Sequence, residues 1–127
     1  MSTMANVMLE PPAFGNALTQ IAYLFQSEWK RLRNLPTDDP STTLRADLLT
    51  VVLPDALTDG ERAQSATTDG RSEVKQQLDS WIDMAYPRLA SQIEALLNCY
   101  VTWSEIEIGP DNRTVNVRIG LRDLPHP

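Results

Sequence analysis

Between Phe14 and Leu32 the apolar residues Phe14, Leu18, Ile21, Phe25 and Leu32 recur at helical spacing, with Ala17, Ala22 and Trp29 beside them. Positions three and four apart share one side of an α-helix, so the segment predicts an amphipathic helix. Lys30, Arg31 and Arg33 fall in its last turn, where cations complement the negative end of the helix dipole. Pro36, Asp38, Asp39 and Pro40 then interrupt regular structure. Thr43 to Leu53 reads as one strand that is apolar on both parities. Leu44, Ala46, Leu48 and Val52 share one side; Leu49, Val51 and Leu53 share the other. Such a strand is covered on both faces. The second cover is either a second subunit, with Leu49, Val51 and Leu53 as its interface, or helices divided between the two faces.

Pro54 ends that strand, and Thr58-Asp59-Gly60-Glu61 has the form of a capping box. In that motif the Thr58 hydroxyl accepts from the backbone N–H of Glu61 while the Glu61 carboxylate reaches back, so a short helix should run to about Ser65. Thr68-Asp69-Gly70-Arg71 opens the next helix. Its apolar face runs through Val74, Leu78, Trp81, Ile82, Ala85, Leu89, Ile93 and Leu96. Pro87 lacks the backbone donor and presses on the carbonyl of Asp83, which predicts a kink or break near Tyr86. Asn98 is placed to end the helix in a left-handed conformation. Thr114 to Leu121 alternates as a strand, with Val115, Val117, Ile119 and Leu121 inward. In Tyr100 to Ile108 the phase changes between Val101 and Trp103 on one side and Ile106 and Ile108 on the other. A one-residue bulge near Ser104 would bring all four to one face. Gly109 to Arg113 joins these two strands as a hairpin. The order is α-β-α-α-β-β, which predicts an α+β fold: a small, mainly antiparallel three-stranded sheet with helices packed on it. Residues 1–12 and 122–127 read as flexible tails around a single domain over 13–121.

Composition narrows the function classes. The 127 residues are 42% apolar and 22% charged, which suits one folded domain. A net charge of −6 disfavours nucleic acid and anionic lipid as partners. The lone cysteine, Cys99, excludes an internal disulfide and a cysteine-rich zinc site, and fits a reducing, cytoplasmic setting. The N-terminal stretch lacks the features of a signal peptide. No run approaches the ~18 consecutive apolar residues of a membrane helix, so direct membrane insertion is not expected.

No constellation points to a reaction. The one histidine, His126, sits in a proline-flanked tail, and Cys99 follows the electronegative end of a helix, which disfavours a reactive thiolate. Asp79 and Asp83 stand one turn apart with Lys75 nearby, and read as a solvated stripe rather than a metal site. Gly60 and Gly70 lack the spacing of a phosphate loop. Glu105 and Glu107 can face Asn116 and Arg118 across the hairpin as a rim ion pair. No catalytic residue, metal or cofactor is expected.

Leu57-Thr58, Glu61, Gly70-Arg71, Val74, Pro87-Arg88-Leu89, Ile93-Glu94, Val101 and the hairpin bearing Val115 and Val117 resemble the MpsC-like family of small bacterial proteins, formerly classed only as a domain of unknown function. The resemblance spans about Leu48 to Leu121. The loop 34–43 has no glycine where the family has a glycine-rich turn, Tyr86 stands in place of an arginine, and Asn98 in place of a glycine. The family's name ties it to a sodium-translocating, membrane-potential-generating system, and relatives are linked with two-part bicarbonate transporters. The resemblance therefore implies an accessory or regulatory role without a reaction of its own.

Two expectations follow. The first is a non-enzymatic accessory or regulatory protein acting through protein–protein contacts, as a homodimer and with a partner at a transport complex. The second is a small-molecule or ion sensor with a pocket between helices and sheet near Trp81 and Trp103, in which Arg71 and Tyr86 supply polar contacts.

Overall fold

The computed structural model describes residues 11–35, 37 and 39–125, with side chains from Gly15 onward. The tail expected over 1–12 lies outside the described residues up to position 10, as do Pro36, Asp38, His126 and Pro127; the Phe14 side chain is likewise outside. Helix α1 spans Pro11–Arg33, strand β1 Ser41–Arg45, β2 Leu48–Leu53, helix α2 Asp59–Gln64, α3 Thr68–Leu97, β3 Tyr100–Ile108 and β4 Val115–Arg122.

The strand expected over 43–53 is a hairpin. Arg45 pairs with Leu48, and Ala46 takes φ 53° in the two-residue turn between them. The sheet thus has four strands rather than three, all antiparallel, in the order β1-β2-β4-β3. The element order gains a strand and becomes α-β-β-α-α-β-β. The turn has no signature in the sequence because Ala46-Asp47 carries none of the glycine or asparagine that normally supplies a positive φ.

Helices α1 and α3 pack on each other and on the same side of the sheet, α1 against β1 and β2 and α3 against β3. Period-2 alternation turns Leu49, Val51 and Leu53 of β2 and Val115, Val117, Ile119 and Leu121 of β4 to these helices, together with Ile106 and Ile108 of β3. The helices contribute Ile21, Phe25 and Trp29 from α1 and Val74, Leu78, Trp81, Ala85, Leu89 and Ile93 from α3. Trp29 meets Trp81 edge to face at 4.9 Å.

Leu49, Val51 and Leu53 are each fully buried in the chain's own core. They are therefore not available as a dimer interface. The outward parity of β2 is the other one, Leu48, Thr50 and Val52. Helices do not divide between the faces either: both long helices cover one side.

The helix ends follow local chemistry. The Thr58–Glu61 capping box is complete, with Glu61 N–H donating to Thr58 Oγ1 at 3.1 Å and Thr58 N–H donating to Glu61 Oε1 at 3.0 Å. The cap of α3 is Thr67, one residue before the expected opening; its hydroxyl accepts from the N–H of Gly70 at 3.1 Å. Gly70 is required there because a Cβ would strike the carbonyl oxygen of Gln64 at the end of α2. Asn98 closes α3 at φ 54°. The break expected at Pro87 is absent: α3 is helical throughout. Pro87 and Asp83 both lie on the exposed side, so water can serve the carbonyl that loses its partner.

The bulge in β3 falls at Thr102, between Val101 and Trp103, rather than near Ser104. Ser104 consequently faces inward opposite Ile119, and Trp103 faces outward opposite Gly120. Val101, Ile106 and Ile108 share the core side as expected; Trp103 does not.

Candidate functional site

The side of the sheet turned away from the helices carries no covering element among the described residues. Its residues form three cross-strand rows. Arg45, Leu48, Gly120 and Trp103 make one; Thr43, Thr50, Arg118 and Glu105 the next; Ser41, Val52, Asn116 and Glu107 the third. Tyr100 and Arg122 pair beyond the first row.

Each end of this surface is built from local rules. Trp103 lies over Gly120, and a Cβ on Gly120 would collide with its indole ring. The glycine thus makes the seat for the tryptophan, and the ring still leaves 47% of the residue exposed. Tyr100 is 54% exposed, with the Arg122 guanidinium 5.1 Å from its ring centre. Thr102, freed by the bulge, donates from Oγ1 to the carbonyl of Gly120 at 3.1 Å. A groove of about 480 Å3 runs along this end, lined by Leu48, Trp103, Glu105, Arg118 and the turn residue Asp47.

The charges are arranged by strand. Arg118 of β4 bonds Glu105 at 2.7 Å and also bonds Glu107, both on β3. Hydrogen bonding to Glu105 and then the two carboxylate charges raise the Arg118 pKa. The expected hairpin ion pair is present, as one arginine shared by two carboxylates. Arg45, on the opposite edge strand, makes no ion pair among the described residues.

The structure does not bring the expected pocket residues together. Trp81 is buried between α1 and α3, with Nε1 donating to the carbonyl of Glu28 at 3.5 Å, while Trp103 is on the far side of the sheet. Arg71 is occupied as a clamp: it donates to the carbonyls of Ile108 at 2.7 Å and Gly109 at 3.2 Å, and to Asn112 Oδ1, holding the β3–β4 turn against α3. Tyr86 is half-buried on α3. Of the four candidates only Trp103 lies on the open face.

Other groups have structural partners. Lys75 pairs with Asp79 at 2.7 Å, as expected of a solvated stripe. Among the described residues no group of three or more His, Cys, Asp or Glu side chains could hold a metal ion. Cys99 is buried, and desolvation first, then the Glu94 carboxylate, push its thiol pKa up. Glu28 falls on the same helical face as Ile21, Phe25 and Leu32, and it is 4% exposed, with Oε1 2.8 Å from Arg31 and 3.8 Å from Arg88. A second groove, of about 450 Å3, lies between α1 and β1, lined by Leu18, Thr19, Tyr23, Gln26, Ser41 and Thr42. The Thr42 hydroxyl is buried and has no hydrogen-bond partner among the described residues. Among the described residues no helix is long and apolar enough to cross a membrane.

No family model, no curated protein and no solved structure matches this chain.

Proposed function

We propose that this chain is a non-enzymatic accessory or regulatory protein that acts through protein–protein contacts, using the open face of its sheet. The observation that carries the reading is the pair Tyr100 and Trp103, about half exposed on an uncovered antiparallel face beside Leu48 and Val52. Large aromatic side chains with arginine at hand are the usual anchors of protein interfaces. The resemblance to the MpsC-like family supports a cytoplasmic setting and a partner within a sodium or inorganic-carbon transport system. The net charge of −6 argues against nucleic acid. A photoreactive residue at position 103, introduced in cells, should cross-link to protein. The same residue at Met84, 68% exposed on α3, should not. Equal cross-linking from both positions, or none from either, would refute the surface.

A second reading, a small-molecule sensor, is favoured by one observation: Thr42, which lines the α1–β1 groove, has a hydroxyl without a hydrogen-bond partner among the described residues. A buried polar atom without a partner is costly and can be satisfied by a ligand. A ligand present at 100 times its dissociation constant adds about 2.7 kcal/mol of stability. A thermal-shift screen of metabolites and anions checks it: a shift lost in Thr42→Val supports a sensor, and no shift with any compound counts against it.

A further inference from the structure

The open face has a charge pattern that is complementary to itself in one orientation only. Resting on the reading of this face as the contact surface, we propose that its occupant is a second copy of this chain. The two copies pack sheet to sheet about a two-fold axis parallel to the strands, between β2 and β4.

Such an axis carries β3 of one copy over β1 of the other, and β4 over β2, while each cross-strand row stays at its own level. Glu105 and Glu107 share the single cation Arg118, which leaves the β3 side with an excess negative charge. The facing β1 side presents Arg45, which has no carboxylate partner among the described residues. Arg45 comes level with Trp103 of the second copy, whose indole lies over Gly120 and leaves the residue about half exposed. A guanidinium over an indole is a favourable contact, and Glu105 is one row further along. At the end of the sheet the β1–β2 turn, with Asp47, comes over Arg122 of the second copy. Leu48 and Val52 lie near the axis, where packing is driest.

The other simple two-fold, with its axis across the strands, sets β3 on β3 and β1 on β1. It places Glu105 against Glu105 and Arg118 against Arg118, so like charges meet and the contact is disfavoured. The charge pattern therefore selects the first axis.

The size of the face limits the affinity. Four strands spaced by about 4.8 Å and some six residues at about 3.3 Å each give a projected area of roughly 400 Å2. The relief of Tyr100 and Trp103 adds accessible area to that, but the total stays at the low end against a standard interface of ~800 Å2 per partner. A reversible, concentration-dependent dimer is the expected form.

Light scattering on a size-exclusion column should show the 14.2 kDa mass at low micromolar concentration rising toward twice that value at hundreds of micromolar. Arg45→Glu and Glu105→Arg should each weaken the dimer by roughly tenfold, and the double variant should regain most of the loss. Thr43→Cys with Glu105→Cys in one chain should give a disulfide-linked dimer on mild oxidation. Neither single variant should. Within one chain the two positions are three strand spacings apart, about 14 Å, beyond the ~7 Å that a disulfide spans. Folding of every variant is checked by circular dichroism. A folded chain that stays at the monomer mass throughout overturns the proposal, as does a dimer in which Thr43→Cys alone cross-links. If the mass is monomeric and position 103 still cross-links to another protein in cells, the second copy is excluded while the contact surface stands.

Discussion

Ala46 holds φ 53° in the β1–β2 turn, a region that costs a residue with a Cβ about 1 kcal/mol. Ala46→Gly removes that cost and gives some back through the greater freedom of the unfolded chain. The variant should be more stable by about 0.5 kcal/mol, measured by urea denaturation. Asp111 governs the other turn. Its Oδ1 accepts from the N–H groups of Arg113 and Thr114, both at 2.9 Å, and its Oδ2 from the Thr114 hydroxyl at 2.8 Å. These bonds, led by the Thr114 and Arg113 backbone, favour the charged form and lower its pKa from 3.8 to about 2. A carboxyl depressed on folding stabilises above its unfolded pKa and loses that contribution as pH falls through its folded one. Asp111→Ala should therefore cost about 1 kcal/mol at neutral pH. The gap from the parent should narrow once pH drops below 3.8 and close near 2. A pH series of denaturant midpoints reads it, and a gap independent of pH would refute the account.

At the scale of elements, one glycine and a few charged side chains act as ties. Gly70 admits the start of α3 against the end of α2, Arg71 clamps the β3–β4 turn, and Glu94 accepts from the Val101 N–H at 2.9 Å where α3 hands over to β3. Arg88 reaches Glu28 from α3, while Arg31 meets it from the same helix, so this buried carboxylate joins the two long helices. Glu28→Gln should destabilise by about 1–2 kcal/mol, less than a fully buried pair, because both arginines it releases are exposed and can hydrate. Pro87 is expected to act in the opposite sense. Proline costs about 3 kcal/mol relative to alanine inside a helix, and α3 absorbs it without breaking. Pro87→Ala restores the bond to Asp83 and should raise the thermal midpoint with helicity unchanged or slightly higher; a lower midpoint would mean that the proline is needed for packing.

For the whole molecule, the three tryptophans report on the two sides of the sheet. Trp29 and Trp81 are buried between the helices and Trp103 is half exposed on the open face. Iodide should quench one emitting population and spare the other. If the open face is covered at high protein concentration, the quenchable share should shrink as concentration rises. Trp103→Phe should abolish the accessible population and leave the core signal unchanged. A quenchable share that does not vary with concentration would place the contact elsewhere.

The features legible in the amino-acid order are those that depend on near neighbours along the chain. Helical spacing gave α1 and α3, the Thr58–Glu61 box and Asn98 gave helix ends, and clean alternation gave β4. Each is a short-range rule, satisfied within a turn or two residues. The β1–β2 hairpin was illegible because a positive φ at Ala46 is imposed by pairing with β4 and packing on α1, against the residue's own preference. The same hidden turn made Leu49, Val51 and Leu53 look like a surface, when contact with the helices makes them core. Trp103 was recognisable as a large aromatic but not as an outward one. The bulge at Thr102 decides its side, and the missing side chain of Gly120, seventeen residues later in sequence, decides where the ring rests. Which face of a strand is open is settled only when the sheet chooses the side on which its helices lie, since alternation fixes that two faces differ and cannot say which one meets water.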